Sequence, residues 1–317
     1  MNALPRATPL PALPVFSELY RESTRSVAGS LGPRASTFEP ARSAAEKRRR
    51  YSRAVQLSGL FTYPIKACGG ISLQQADVVE RGLAFDRRYM LVDRLDTFVT
   101  QREVSRLSLT SVAFDGASIV VSAPGQQDLA LPRELSPQAG FERQVYQVWR
   151  DFGHALAHPE GSRWFSEFLN DDVRLVYMAD AERRAVNPKR ARPGDILSFA
   201  DGYPMLLISE ASLADLNQRL EAPLEMRRFR PNLVISGCTP YAEDGFAELS
   251  IGAVRFRGVK RCERCVVTTI DPKTGERGKE PLRTLSHYRR EDGKVWFGMN
   301  LIHDGSGTLR LGDAVIL

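Results

Sequence analysis

Within the 317 residues, the densest run of reactive side chains is Arg261-Cys262-Glu263-Arg264-Cys265, which continues into Val266-Val267-Thr268-Thr269-Ile270-Asp271-Pro272. Two cysteines at this spacing can grip a metal ion, form a redox dithiol, or lie buried and inert. A structural zinc site needs four ligands. The other cysteines (Cys68, Cys238) are isolated, as are His287 and His303, and the one spaced pair, His154 and His158, lies more than 100 residues upstream of the motif. A thioredoxin-type dithiol would stand at a helix N-terminus, whereas this motif runs into a β-branched stretch. Arg261 and Arg264 flank both thiols and would favour thiolate, a soft ligand for a soft metal centre. On these residues alone, a single metal-ligating or nucleophilic cysteine and a pair of inert buried ones both stay open.

The elements around this motif read as short strands. Alternation and turn residues predict strands over 56–65 and 88–93, then a hairpin in which Asp115-Gly116 separates 111–114 from 118–122. Two helices are expected. One is capped by Ser162 and carries Trp164, Phe165, Phe168 and Leu169 on one face; the other covers 209–220, with Leu213, Leu216 and Leu220 at helical spacing. Core packing explains both stripes. Beyond Arg230-Pro231-Asn232 the chain returns to strands at 233–236, 247–257, 265–270 and 308–317, the last with a turn at Gly312-Asp313. Many short strands and few helices predict a β-dominated α+β, barrel-like fold. No phosphate loop or dinucleotide fingerprint is present; Gly69-Gly70 lacks the strand–glycine–helix context.

Composition is that of a globular protein, with 43% hydrophobic and 26% charged residues. No apolar run reaches the roughly 18 residues of a membrane span, and no secretory signal is expected. Four cysteines in a chain this long do not make a disulfide framework, so a reducing, cytoplasmic setting is expected. The net charge of +6 is unevenly placed. Residues 1–50 hold nine Lys/Arg against four Glu, ending in Lys47-Arg48-Arg49-Arg50, so the rest is nearly neutral. The Pro-, Ser- and Arg-rich 1–54 segment reads as a disordered basic tail, with contact to nucleic acid or lipid, or an organelle transit peptide, as alternatives. A neutral body without aromatic–basic interleaving argues against a nucleic-acid binder.

The stretch Phe229-Arg230-Pro231-Asn232, then Ile235-Ser236-Gly237, then 262–272, resembles the MOSC domain (molybdenum cofactor sulfurase C-terminal). Upstream, Tyr63-Pro64-Ile65-Lys66, Gly82-Leu83 and Asp86-Arg87-Arg88-Tyr89 resemble the β-barrel domain preceding MOSC in one branch. That branch holds the mitochondrial amidoxime-reducing component and its bacterial relatives. The resemblance spans roughly residues 55–317. It implies a small N-terminal β-barrel domain over 55–175 and a MOSC β-barrel over 176–317, with the cofactor between them.

What the resemblance implies for chemistry is a molybdenum-cofactor (Mo-molybdopterin) oxidoreductase that reduces N-hydroxylated compounds. Cys265 matches the molybdenum ligand and catalytic position, and Cys262 a neighbouring non-ligand. Lys66, Arg87, Arg230 and Asn232 match cofactor-binding positions, and Tyr203, Glu263 and Asn300 positions around the same pocket. Arg suits bidentate phosphate pairing and Lys a point charge. Each also has a plain reading as a surface ion pair, a turn residue or a solvated lysine. Ala67 stands where some relatives have serine. Some bacterial relatives append a four-cysteine ferredoxin domain; here the chain stops after the closing strand, so electrons are expected from a separate ferredoxin-type or reductase donor. A monomer is expected. The rival within this resemblance is a cofactor carrier or sulfur-transfer protein.

Overall fold

The computed structural model describes residues 54–136 and 143–317; the basic tail expected over 1–54 lies, but for its last residue, outside them. The largest sheet has nine strands. Its order runs Ile71–Ser72, Gln56–Thr62, Leu233–Ser236, Met205–Ser209, Lys294–Asp304, Val254–Glu263, Glu248–Ile251 and Val315–Ile316, with Arg290–Glu291 paired on the side of Lys294–Asp304. The ends meet: Gln56 bridges Ala314, and the Val315 amide donates to the Val55 carbonyl at 2.9 Å. The sheet therefore closes on itself, which removes an open edge. Its interior is apolar, with Leu57, Leu60, Leu233, Ile235, Phe256 and Leu301 among its fully buried side chains.

A second layer carries the segments that reach over the barrel. Tyr89–Val92, Arg174–Tyr177, Asp151–Ala157 and Arg143–Val148 form a four-stranded antiparallel sheet. Ser111–Asp115, Ser118–Ser122 and Leu129–Pro132 form a three-stranded one. The helix Pro159–Leu169 buries Trp164, Phe165 and Phe168 against Leu131, Leu175 and their neighbours. The two halves of the chain interleave. Gln56–Thr62 belongs to the barrel of the C-terminal half, and Gly307–Arg310 pairs with Gln75–Val79.

The strand-dominated architecture agrees with the sequence expectation, and the Asp115-Gly116 hairpin is present, with Gly116 at φ 53°. Several local expectations need correction. The first helix begins at Pro159, a favoured first-turn residue. Its cap is His158, whose Nδ1 accepts from the Gly161 amide at 3.0 Å, while Ser162 donates to the His158 carbonyl from inside the helix. The second helix, Glu210–Asn217, is shorter than expected but is capped by Ser209. The 247–257 segment is two strands turning at Gly252, φ 55°. The strand expected over 265–270 is a 3-10 turn, Val266–Thr269. There Thr268 and Thr269 donate their hydroxyls to the carbonyls three residues back, at 3.0 and 2.8 Å. Local side-chain bonding thus overrides β-branched propensity. A third helix, Leu282–Tyr288, was not expected; its stripe of Leu282, Leu285 and Tyr288 is only seven residues long, with Leu285 alone fully buried.

Strand Val254–Glu263 shifts register against Lys294–Asp304 after Gly258 and again before Glu263, and its far end carries the cysteine motif. A Cβ at Gly258 would stand 1.8 Å from the Phe246 carbonyl oxygen. Gly258→Ala should therefore cost about 2 kcal/mol and lower the unfolding temperature by roughly 4–8 °C, measurable by calorimetry.

Candidate functional site

All eight sequence-nominated residues line one cavity of about 440 Å³. Lys66 and Arg87 reach it from the turns after Gln56–Thr62 and Gly82–Leu83. Tyr203 precedes strand Met205–Ser209, Arg230 and Asn232 precede Leu233–Ser236, and Asn300 lies on Lys294–Asp304. Glu263 and Cys265 stand where Val254–Glu263 gives way to the 3-10 turn. Residues up to 234 positions apart in sequence are thus brought to one wall-to-wall site.

The centre is a buried clamp. The Asp86 carboxylate accepts from the Tyr63 amide at 2.8 Å, the Asn232 side-chain amide at 3.0 Å and Arg87 Nη1 at 2.5 Å. Asn232 is fully used. Its Oδ1 accepts from Arg87 at 3.1 Å and the Leu206 amide at 3.3 Å, and its Nδ2 also donates to the Phe61 carbonyl at 3.2 Å. Asn232 therefore holds Arg87 rather than presenting free polar atoms of its own. The Arg87 and Arg230 guanidinium carbons lie 4.5 and 4.3 Å from the Tyr63 ring centroid. Such cation–π contact offsets part of the cost of crowding two cations. Burial, and then repulsion from Arg87, lower the Arg230 pKa. Both arginines, and Ala67, hold left-handed backbone, φ 50°, 55° and 69°. Non-glycine residues rarely adopt it, and strain of this kind gathers at functional sites.

A second group surrounds Lys66, whose ammonium donates to the Phe199 carbonyl at 2.7 Å and pairs with Asp201. Arg102 bonds the other Asp201 oxygen at 3.1 Å and lines the cavity together with Cys265. Burial pushes the Lys66 pKa down to about 8 against the pull of Asp201. Burial raises the Asp201 carboxyl, but Lys66 and Arg102 more than reverse this and hold it well below the usual carboxylate range.

The cysteine motif divides into two roles. Cys262 packs beside Phe229 and Phe297, and burial pushes its thiol pKa up despite Arg264. The expectation that flanking arginines make it a thiolate is thus overturned by desolvation. Arg261 turns away altogether, to Glu291 at 2.6 Å. Arg264 turns inward, donating to the Phe297 and Phe229 carbonyls at 2.8 and 3.0 Å, while its Nη2 is buried with no partner. Glu263 sits at the exposed rim, paired with Lys294 at 2.9 Å. Asn300 donates to the Lys260 carbonyl at 3.1 Å, across the strand bulge. Tyr203 is half-buried, and its hydroxyl pKa is raised by burial. Arg102, Asp201, Arg264 and Trp149 also line the cavity and were not nominated. Thr100-Gln101-Arg102 carries no pattern, and Trp149 belongs to a hairpin whose turn lacks glycine.

The MOSC N-terminal beta barrel domain family matches residues 54–172, and the MOSC domain family residues 195–316. Mitochondrial amidoxime-reducing component 1 of Homo sapiens is 37% identical over 293 residues, covering 86% of this chain and 85% of the relative. The chain belongs to the MOSC family. Mitochondrial amidoxime-reducing component 1 of Mus musculus is also 37% identical, over 86% of this chain and 84% of its own. Mitochondrial amidoxime reducing component 2 of Rattus norvegicus is 34% identical, over 85% of each. Among the described residues, no helix is long and apolar enough to cross a membrane.

The site's cation count is titratable through Lys66. A lysine near pKa 8 is charged at pH 7 and mostly neutral at pH 9, so anion affinity falls as pH rises. Sulfate, whose own charge is fixed over this range, should bind cofactor-free protein up to about tenfold more weakly at pH 9. Lys66→Arg, which does not titrate there, should flatten the dependence in calorimetric titrations.

Proposed function

We propose that this MOSC-family chain is a molybdenum-cofactor-dependent reductase of N-hydroxylated compounds, amidoximes and hydroxylamino bases among them, with Cys265 as metal ligand. The carrying observation is the unpartnered, buried Arg264 Nη2 in a cavity that also gathers Arg87 and Arg230 around Cys265. Buried donors are normally satisfied, and like charges this close await an anion. A phosphorylated pterin dithiolene has the chemistry to answer them. Arg87, Arg230 and Lys66 would hold its phosphate, Arg264 would donate to an acceptor, and Tyr203, Glu263 and Asn300 would border it. When bound, this group supplies the two-electron redox chemistry.

The chain's own residues position and shield. Asp86 and Asn232 fix the Arg87 fork, Arg102 adds a positive charge to the cavity wall that holds Cys265, and the Tyr63 ring packs against both central guanidiniums. On this reading residues 55–175 form the N-terminal barrel domain and 176–317 the MOSC domain. All four cysteines are free thiols, which suits a reducing compartment such as the cytoplasm, although the relatives named above are mitochondrial by name. Four cysteines, one of them a metal ligand, leave no complete set for an iron–sulfur cluster. On this reading a separate ferredoxin-type or reductase partner supplies electrons.

Protein produced in a host that makes the cofactor should contain molybdenum and reduce benzamidoxime with reduced viologen, yet not with NADH alone. Cys265→Ser should keep the fold and lose more than roughly 100-fold in activity, exceeding what loss of an outer-shell contact costs. Cys262→Ser should be far milder. Equal effects of the two changes would refute the ligand assignment. Full molybdenum loading without turnover of any N-hydroxylated substrate would point instead to a carrier or sulfur-transfer role.

A further inference from the structure

Trp149 occupies the turn between Arg143–Val148 and Asp151–Ala157, in left-handed backbone at φ 57°. In a two-residue hairpin turn such a position favours glycine, and a bulky residue there is an outlier. The side chain is also 48% exposed although it lines the cavity. A half-exposed indole on strained backbone at a cavity mouth points to a role towards a ligand as well as to packing.

The surroundings hold the ring in place. Phe98 meets Trp149 at 5.0 Å between centroids and 61°, and the Arg102 guanidinium carbon lies 5.0 Å from the indole centroid. The Lys66 ammonium stands 5.4 Å from the Phe98 ring centroid. Since Lys66 and Arg102 share Asp201, these five side chains form a closed collar: Lys66, Asp201, Arg102, Trp149 and Phe98. The hairpin itself is tied down, because the Gln147 amide donates to the Asp96 carbonyl at 2.8 Å and Arg184 grips Asp151 at 2.8 Å.

Resting on the reductase reading above, we propose that Trp149 is a specificity-determining platform that selects N-hydroxylated substrates bearing a flat, uncharged aryl group. A preorganised indole face gains from aromatic stacking at little entropic cost. Cationic groups are disfavoured in its place by Arg102, Lys66, Arg87 and Arg230, which already crowd the cavity with positive charge. The reacting N–OH end would point inward to Cys265, and the aryl group outward to the collar.

The test compares benzamidoxime with acetamidoxime on molybdenum-loaded protein. Trp149→Gly relieves the backbone strain and should fold well. It should lower the ratio of kcat/KM for the aryl over the alkyl substrate roughly three- to tenfold, with the loss in the KM of benzamidoxime. Trp149→Tyr should restore most of it. Independently of turnover, saturation-transfer NMR should show benzamide contacting wild-type protein and not Trp149→Gly. Equal losses for both substrates, or a benzamide signal indifferent to Trp149, would overturn the proposal. A wild-type protein that reduces neither compound, yet binds benzamide through Trp149, would remove the reductase reading and leave the aryl platform standing.

Discussion

The cavity depends on one buried carboxylate. Asp86 is almost wholly excluded from solvent, and its oxygens are shared among the Tyr63 amide, Asn232 and Arg87. An ion so placed is tolerable only when every partner is present, and losing one costs on the order of 3–5 kcal/mol. Those partners lie on three separate segments: the end of the first barrel strand, the turn after Gly82–Leu83, and the loop into Leu233–Ser236. Asp86 therefore locks two halves of the chain together and fixes the direction of a guanidinium in the same act. Without it, the Arg87 guanidinium would lose the carboxylate bonded to it.

Around this lock the site accumulates positive charge beyond what the protein neutralises. Asp86 and Asp201 face Arg87, Arg230, Arg264, Arg102 and Lys66. Aromatic faces, Tyr63 for one pair and Phe98 with Trp149 for another, stand beside the cations and soften their repulsion without cancelling their charge. A cavity so arranged spends stability: it keeps an orphaned donor, strained backbone and mutually repelling cations. Proteins commonly accept such local conflicts at functional sites and compensate elsewhere. Here the compensation is the closed barrel beneath, with its apolar interior.

The strand-rich class, the Asp115-Gly116 hairpin and strand 233–236 could be read from alternation and turn chemistry, because those signals are local. The 3-10 turn after Cys265 was not, since Val-Val-Thr-Thr looks like a strand until two threonine hydroxyls find carbonyls three residues back. The eight nominated site residues converge on one cavity, but their division of labour was hidden. That Asn232 holds Arg87, that Arg264 rather than Arg261 turns inward, and that Cys262 is desolvated all follow from tertiary neighbours. Arg102 and Trp149 escaped notice because their roles arise from contacts across the fold, with no periodicity or spacing to announce them.

The closure of the large sheet bears on how the molecule is made. The strand beginning at Gln56 completes its hydrogen bonding only with Ala314 and Val315, and Gln75–Val79 waits for Gly307–Arg310. Pairings of such sequence separation are slow to form and leave strand edges open in the meantime. During synthesis the first barrel strand can meet Ile71–Ser72 early and Leu233–Ser236 later, but the ring stays open at its N-terminal end until residues 312–315 are available. The cavity, whose walls include Cys265 and Asn300, cannot exist until those late residues have joined the fold. Until then the open β-edges make chaperone protection valuable.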